Sequence, residues 1–381
     1  MINAKISGIA SYVPDDILDN EMLSKMVDTN DEWITTRVGI KERRVLKEPG
    51  KGSSYLGVKA VEKLLAETGT SPEEIELLIC GTSNPDYRFP STASIIAHDC
   101  GLTNCYAYDI QAACAGFIVS VQAAKAYILS GLYKKIIVVC AEKMTSMVDY
   151  EDRSTCPLFG DAAACVLIEP TDEPVGVIDG EFHVDGVGLP HLVMKAGGSV
   201  KPTTYETVAA REHFVYQEGR VVYKHAVRDM LQSTLSVMKK NNLTIEEVDW
   251  LVPHQANLRI IEAVAGRTKI DERKVLIDIE KYGNTSAATI PLCLDDFKYR
   301  LKKGDKILLT AFGAGFTWGA MYLIWAFDTK PTKEQLKRDK DEEKRREKEK
   351  KEREKAEKEK EKDKDKDKEK DKDKAPEAPQ S

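Results

Sequence analysis

Cys114 lies at a predicted turn before a helix, where a cysteine could act as a nucleophile. It stands between a short strand-like run, 106–110, and an apolar segment closed by Gly131, which predicts a strand, a tight turn and a buried helix. Unpaired N–H groups and the helix dipole at a helix N-terminus favour a thiolate, which is the nucleophilic form of cysteine. The alternative is that Cys114 is packing material, as buried cysteines commonly are.

His254 and Asn284 occur at two later junctions of the predicted elements. His254 follows the apolar run 250–253, and Asn284 follows a glycine after a strand expected at 275–279. Each has a structural alternative, since a histidine can bond to the backbone and an asparagine can cap a helix. Ligand sites in α/β sheets lie beyond the carboxyl ends of strands. Taken together with Cys114, the two residues therefore predict one shared pocket.

These residue types permit thioester chemistry. Cysteine supplies a nucleophile, whereas histidine and asparagine supply N–H donors, and no carboxylate within these motifs orients the histidine as in most hydrolases. A papain-like protease uses the same three residue types, but the sequence around Cys114 lacks the protease signature. The glycine-rich turn 312–319 lacks the spacing of a phosphate loop. Its small residues instead suit an oxyanion hole beside the cysteine.

Alternating helix and strand patterns carry these residues and predict an α/β architecture with buried sheets. An acidic pair that runs into an apolar strand at 73–79 recurs at 246–252, and the patterns that follow recur in the same order. We interpret this as an internal duplication with a period of ~170 residues. The expected domains are two α/β halves, 1–170 and 171–329, followed by a charged tail at 330–381.

Charge and cysteine content restrict the partners and the compartment. The chain carries 57 Lys and Arg and 63 Asp and Glu, of which 21 and 19 lie in 331–381, so the first 330 residues have a net charge of −8. That balance argues against nucleic acid. Eight scattered cysteines without a CxxC pair or a leader predict reduced thiols in a cytoplasmic protein, with neither disulfides nor a metal site. No apolar run approaches the ~20 residues of a membrane span, so no membrane contact is expected.

The tail at 330–381 is almost entirely Lys, Glu, Arg and Asp, which leaves too few apolar groups for a core. We expect it to be disordered or an isolated helix. A solvating appendage is the favoured interpretation, and a segment that binds a partner is the alternative.

The sequence resembles β-ketoacyl-acyl carrier protein synthase III in four stretches: DIQAACAGF around Cys114, VPHQANLRII around His254, YGNTSAATIP around Asn284, and AFGAGFTWG at 311–319. Further similarity lies at 33–44, 89–91, 152–153 and 158–162, so the resemblance covers about residues 1–327 in order. It implies the thiolase fold, in which two duplicated halves stack as α/β/α/β/α layers, usually in a homodimer.

The resemblance implies a decarboxylative condensation that starts fatty-acid synthesis. Cys114 would take the acyl group of a short acyl-CoA, such as acetyl-CoA, and malonyl-acyl carrier protein would then lose CO2 and condense with it. His254 and Asn284 would donate to the malonyl thioester oxygen, and the N–H groups of Cys114 and Ala314 would form the oxyanion hole. No cofactor is implied, because acyl-CoA is a substrate. The alternatives are a same-fold synthase or acyltransferase of polyketide-type metabolism and, less favoured, a non-catalytic scaffold.

Binding residues are implied in the same way. The nucleotide and pantetheine of CoA would contact Trp33, Arg37, Arg153, Gly219, Tyr223 and Asn257. The acyl carrier protein would contact Lys224, Gln255 and Arg259. Phe89 would close the acyl pocket of the partner subunit. Two residues depart from the family pattern: Ala314 stands where many relatives have glycine, so φ there must suit a side chain, and Tyr223 is often phenylalanine.

Overall fold

The strands and helices below come from the computed structural model, which describes residues 2–341 and 344. The strands are β1 Asn3–Tyr12, β2 Ile17–Asp19, β3 Glu42–Arg44, β4 Leu77–Gly81, β5 Tyr106–Ile110, β6 Ile136–Lys143, β7 Asp161–Thr171, β8 Gly176–Val184, β9 Leu192–Met194, β10 Val215–Gln217, β11 Trp250–Pro253, β12 Lys306–Gly313 and β13 Thr317–Ile324. The α-helices are α1 Asn20–Ser24, α2 Asp31–Val38, α3 Ser53–Thr68, α4 Thr92–Asp99, α5 Gly116–Ser130, α6 Tyr205–Ala209, α7 Gly219–Lys240, α8 Leu258–Thr268, α9 Ile279–Tyr282 and α10 Thr289–Phe297.

Two mixed sheets have the same strand order. The first is β1-β7-β6-β4-β5 and the second is β8-β13-β12-β11. In both sheets the first two pairings are antiparallel and the third is parallel. Val275 forms a parallel bridge with Leu251 of β11, at the position that β5 occupies in the first sheet. The repeated order confirms the predicted fold class of two duplicated α/β halves.

Helices lie between the two sheets and on their outer faces. α5 and α10 contact strands of both sheets, and the core between the sheets includes Phe117 from α5 and Leu292 from α10. α3 and α4 cover the other face of the first sheet, whereas α7 covers the second sheet and packs against α8. The order of layers is therefore α/β/α/β/α, as predicted.

The apolar helix α5 is explained by burial. Residues 113–130 are long and apolar enough to cross a membrane by length and composition alone, contrary to the expectation that no run approaches that length. Phe117, Ile118 and Val121 of this helix are fully buried in the core between the two sheets. We therefore interpret α5 as a core helix of the fold.

Two parts of the chain differ from the sequence-based prediction. A strand was expected at 275–279, but in the structure only Val275 forms a bridge to a neighbouring strand. The N–H of Asp278 donates to the Gln255 side chain (3.2 Å) instead of to a strand. Residues 172–245 had no predicted elements, yet they contain β8, β9, β10, α6 and α7.

Met1–Asp328 form one compact unit, and the described residues from Thr329 onward belong to a second. Within the second unit, residues 333–341 are helical. Residues 342–343 and 345–381 of the charged tail predicted at 330–381 lie outside the described residues.

Candidate active site

Cys114, His254 and Asn284 line one cavity with a volume of about 910 Å³. Cys114 lies between β5 and α5, and His254 directly follows β11. Asn284 follows α9 and not a strand, which corrects the element predicted before it. The structure thus brings the three residues to one cavity from separate parts of the chain.

The Cys114 turn is tightly packed against the end of β12. Cys114 is the middle residue of a 3₁₀ turn, Ala113–Ala115, in which Ala113 has a φ of +45°. A Cβ atom added at Gly313 would lie 2.6 Å from the Cys114 nitrogen, so only glycine permits this approach. The Cys114 Sγ lies 3.7 Å from the Ser286 Oγ. The turn therefore holds the sulfur between β12 and the segment that follows Asn284.

The electrostatics of Cys114 differ from the predicted thiolate. The pKa of the thiol is raised to about 12, mainly by burial and to a smaller extent by the negative charge of Glu142. The Ser286 hydroxyl and a backbone hydrogen bond lower this pKa, but their effect is smaller than that of burial. Desolvation therefore has a larger effect on the pKa of this thiol than the two hydrogen bonds that favour the thiolate.

His254 is a buried, neutral imidazole. It is 1% exposed, and burial lowers its pKa to about 3. Its Nδ1 lies 2.7 Å from the Thr289 hydroxyl, and its backbone N–H donates to the Thr310 carbonyl. Within the described residues no group of three or more His, Cys, Asp or Glu could hold a metal ion. The neutral ring can thus donate one hydrogen bond and accept another without carrying charge.

The side-chain amide of Asn284 has a fixed orientation. Its Oδ1 accepts a hydrogen bond from the Ser286 N–H (2.8 Å), and its backbone pairs with the 158–160 segment through Leu158 and Gly160. Asn284 is 7% exposed. Because the oxygen is occupied, the amino group is the part of the amide that remains to donate to a ligand.

Ala314 lines the same cavity immediately after Gly313. It is not among the residues with positive φ, so its side chain fits the backbone conformation there. The alanine that departs from the family pattern therefore leaves the backbone N–H in place.

The residues expected to bind CoA lie at or near this cavity. The Trp33 ring is contacted by two guanidinium groups, of Arg37 and Arg153, each 5.0 Å from the ring centroid. Trp33 and Arg37 line the cavity, together with Gly219, Tyr223 and Asn257. Asn257 also caps α8 through its side-chain oxygen. Arg153 is connected to the cavity through Trp33.

The residues expected to contact a carrier protein are only partly at the surface. Lys224 and Arg259 are exposed, and the Arg259 guanidinium lies 6.0 Å from the Tyr223 ring centroid. Gln255 is fully buried, and its side chain donates to the carbonyls of Pro253 and Leu276, which argues against its predicted contact with a carrier protein. Phe89 is 86% exposed.

Several polar residues of the site were not predicted from the sequence. Glu142 at the end of β6 is fully buried and accepts from the Ser83 N–H, while Ser286 and Thr289 contact Cys114 and His254. An acidic residue that ends the apolar run 136–141 is a signal that could have identified Glu142, since buried carboxylates are rare.

Comparison with known proteins identifies the family. Two family models match: 3-oxoacyl-(acyl-carrier-protein) synthase III over residues 108–186, and its C-terminal domain over residues 238–325. A β-ketoacyl-(acyl-carrier-protein) synthase III of Bacteroides thetaiotaomicron is 57% identical over 86% of this chain and 98% of its own length. The crystal structure of 3-oxoacyl-(acyl-carrier-protein) synthase III from Aquifex aeolicus aligns with a TM-score of 0.78 at 40% identity, covering 84% of this chain and 100% of that one.

A solved relative from another kind of metabolism is also similar. The priming β-ketosynthase of a polyketide biosynthetic pathway aligns with a TM-score of 0.79 at 31% identity, covering 86% of this chain and 97% of that one. The first relative, however, is similar at much higher identity over nearly its whole length. The chain therefore belongs to the β-ketoacyl-acyl carrier protein synthase III family.

Proposed function

We propose that this protein condenses a short acyl group from acyl-CoA with malonyl-acyl carrier protein, forming 3-ketoacyl-acyl carrier protein, CO2 and CoA at the start of fatty-acid synthesis. One observation carries the proposal: Cys114, His254 and Asn284 meet at a cavity that also includes Trp33 and Arg37. This reaction needs a nucleophile, hydrogen-bond donors for the enolate oxygen, and a site with cationic and aromatic side chains for the nucleotide of CoA.

The first half-reaction transfers the acyl group to Cys114. The sulfur attacks the thioester carbonyl, and the developing oxyanion is stabilised by the backbone N–H groups of Cys114 and Ala314. Gly313 allows the end of β12 to approach the Cys114 turn, since a Cβ added at Gly313 would lie only 2.6 Å from the Cys114 nitrogen. Preorganised donors of this kind typically contribute ~100 to 1,000-fold in rate each.

The second half-reaction removes CO2 from the malonyl group and needs donors for the enolate oxygen. His254 is uncharged because burial lowers its pKa to about 3, so it donates as a neutral imidazole. The single proton of the Thr289 hydroxyl has two acceptors within reach, the His254 Nδ1 (2.7 Å) and the Ser286 carbonyl (3.1 Å). The proposed role requires that it donates to Nδ1, which leaves the imidazole proton on Nε2. The Asn284 amino group is the second donor, since Ser286 occupies its oxygen.

The partners follow from the surface around the cavity. The guanidinium groups of Arg37 and Arg153 beside Trp33 would bind the phosphates and adenine of CoA. Exposed Lys224 and Arg259 would attract an acidic carrier protein. The proposed reaction uses no cofactor, and we place it in the cytoplasm.

A homodimer is part of the proposal. β5 lies at an edge of the first sheet, next to the Cys114 turn. Tyr106 on this strand is 59% exposed, and Tyr87 and Phe89 are 63% and 86% exposed. A second copy that covers these aromatic side chains would also bring its Phe89 to the acyl pocket. Sedimentation of the purified protein tests this, and a monomer at micromolar concentration would contradict it.

Priming of a polyketide is the second candidate, because the solved priming β-ketosynthase has a similar fold at 31% identity. The two functions differ in the acyl primer and in the carrier protein. A panel of acetyl-, isobutyryl- and longer acyl-CoA substrates with malonyl-acyl carrier protein separates them. Preference for acetyl-CoA or another short primer with the fatty-acid carrier protein supports the first function.

Labelled acetyl-CoA tests the proposed chemistry directly. We expect one acetyl group per chain, located on Cys114 by peptide mass spectrometry, and release of CO2 when malonyl-acyl carrier protein is added. Cys114→Ala should abolish the label, whereas His254→Ala should retain the label and lose condensation. Absence of both label and turnover in the wild-type protein would refute the proposed function.

A further inference from the structure

Arg43 is a buried arginine that the reaction described above does not use. It is the middle residue of β3 and is 0% exposed. Its guanidinium donates to three acceptors, the Leu18 carbonyl (2.9 Å), the Asn20 Oδ1 (3.0 Å) and the Pro157 carbonyl (2.8 Å). All three acceptors are uncharged. Burying a charge is costly unless it is paired, so an arginine at this position requires an explanation.

Asn20 connects Arg43 to α2, the helix that carries two of the proposed CoA contacts. Asn20 is 2% exposed, and its Oδ1 accepts from both terminal nitrogens of the guanidinium, at 3.0 Å each. Its Nδ2 donates to the Asp31 carboxylate (2.8 Å), at the first residue of α2, and to the Ile40 carbonyl (2.8 Å), just after the helix ends. Every hydrogen-bonding position of the amide is thereby used. The side chain that binds Arg43 therefore holds both ends of α2.

Pro157 connects Arg43 to Asn284. The residue after Pro157 is Leu158, whose carbonyl accepts the Asn284 N–H (2.8 Å), and the Gly160 N–H donates to the Asn284 carbonyl (3.1 Å). The backbone of Asn284 is thus paired with a segment whose first carbonyl is bound by the guanidinium. The orientation of the Asn284 amide therefore depends on a segment that Arg43 holds.

The aliphatic part of Arg43 packs against the same two backbone segments. A Cβ added at Gly160 would lie 3.0 Å from the Arg43 Cβ, and one added at Gly283 would lie 3.5 Å from it. Gly283 also has a φ of +63°, a conformation that favours glycine. The two glycines therefore let both backbone segments lie directly on Arg43.

We propose that Arg43 is a positioning residue that fixes two sides of the cavity on one buried support. Through Asn20 it holds α2, and through the Pro157 carbonyl it holds the segment that orients Asn284. The inference rests on the proposed function and deepens it, because both the acyl-CoA site and the enolate donor then depend on one residue. Arg43 does not line the cavity and acts only through these neighbours. Catalytic groups must be held within about 0.5 Å of their working geometry, which a fixed support provides.

Arg43→Met tests the proposal, because it removes the guanidinium and keeps an unbranched side chain. Three rates are measured: acylation by acetyl-CoA, acylation by acetyl-pantetheine, which lacks the nucleotide, and CO2 release when isolated acyl-enzyme meets malonyl-acyl carrier protein. We expect the preference for acetyl-CoA over acetyl-pantetheine to fall about 10-fold. CO2 release should slow about 10 to 100-fold, since a misplacement of about 1 Å can cost about 100-fold. Acylation by acetyl-pantetheine should stay within about threefold of the wild type.

A purely structural role for Arg43 predicts a different pattern. A variant that is only less stable contains less active protein, so all three rates per mole of protein fall by the same factor. That result would overturn the proposal. A loss in only one of the nucleotide preference and CO2 release would also overturn it, because the proposal assigns both to one residue.

Double variants show whether Arg43 acts through the neighbours named above. In the Asn284→Ala protein, Arg43→Met should slow CO2 release no further, because the residue that it positions is already removed. In the Trp33→Ala protein, Arg43→Met should leave the reduced preference for acetyl-CoA unchanged. Effects that multiply in either background would mean that Arg43 acts elsewhere, and would contradict the inference.

Asp295→Asn is the matched control for the loss of a buried charge. Asp295 is 7% exposed, accepts from the Ser11 hydroxyl (2.6 Å) and pairs with the Lys298 ammonium (2.9 Å). It does not line the cavity. We expect a lower melting temperature from this variant and all three rates within about threefold of the wild type. The Arg43→Met pattern in this variant would show that loss of any buried charge disturbs the site, and would refute the assignment to Arg43.

Asn20→Ala provides a second test if Arg43→Met does not fold. It cuts the connection to α2, whereas the guanidinium retains the carbonyls of Leu18 and Pro157. The preference for acetyl-CoA should fall about 10-fold, a larger factor than the slowing of CO2 release. An unchanged preference would overturn the inference and leave the proposed function intact. Wild-type protein that shows neither acylation nor CO2 release would instead refute the proposed function itself.

Discussion

Gly313→Ala tests whether the contact between β12 and the Cys114 turn is what forms the oxyanion hole. The added Cβ would lie 2.6 Å from the Cys114 nitrogen and 2.9 Å from the Ala113 Cβ. Both obstacles belong to a tight turn and cannot rotate away as the end of a flexible side chain could. The backbone of either segment must therefore move.

The required movement can be stated from these distances. Carbon contacts below 3.0 Å are essentially never observed, and ordinary contact begins at 3.4 Å. The two segments must separate by roughly 0.4 to 0.8 Å, and a misplacement of about 1 Å can cost about 100-fold in rate. Because the N–H donors of Cys114 and Ala314 lie on opposite sides of this contact, we expect acylation to slow about 100-fold.

Quenched-flow acylation by acetyl-CoA, followed by intact mass spectrometry, measures this effect. Gly266→Ala is the control, because an added Cβ there has no neighbour within 4 Å and the residue lies inside α8. That variant should keep its rate and gain up to about 1 kcal/mol of stability from the better helix former. A folded Gly313→Ala protein that acylates within threefold of the wild type would refute the reasoning.

Three further predictions concern other residues of the site. Thr289→Val removes the hydroxyl 2.7 Å from the His254 Nδ1 and should slow condensation about 100-fold while acylation persists, with Thr289→Ser near wild type; equal loss in both steps would contradict this. Trp33→Ala should raise the KM for acetyl-CoA about 10-fold at little change in kcat, and a loss in kcat alone would argue against CoA binding at Trp33. The pKa of His254 is lowered from 6.5 to about 3, so the unfolded chain binds the extra proton first. The free energy of unfolding should therefore fall as pH drops from 6.5 toward 3, and urea titrations should show a shallower fall for His254→Asn than for the wild type; identical slopes would contradict the assignment.

The strand and the helix on either side of Cys114 could be predicted because each is defined by a pattern of neighbouring residues in the sequence. The strand at 106–110 has the same bounds in the structure, and the helix after Cys114 ends before Gly131 as expected. By contrast, the partly buried helix α7 had no prediction, since its inward face includes Asp229, Ser233 and Thr234. The two hydroxyls donate to carbonyls of their own helix, which makes a polar stripe compatible with burial.

The parts of the site that sequence reasoning did not reach depend on distant contacts. Glu142 has its partners Ser83 and Ala287 at separations of 59 and 145 residues. Gln255 was expected at the surface from its motif, but its side chain turns toward carbonyls inside the protein. The pKa of Cys114 likewise follows from burial in the assembled fold, whereas the sequence shows only its helix N-terminus.

The contact between the Cys114 turn and Gly313 also bears on how the chain becomes active during synthesis. Cys114 is translated long before His254, Asn284 and Gly313, and at ribosomal rates the interval is on the order of 10 s or more. A nascent or truncated chain that ends within this interval carries the thiol without β12 to complete the oxyanion hole. Such a chain should take acyl groups from the CoA pool into a dead-end thioester far more slowly, because it lacks a preorganised oxyanion donor. We therefore expect full activity only after the second sheet has folded onto the first.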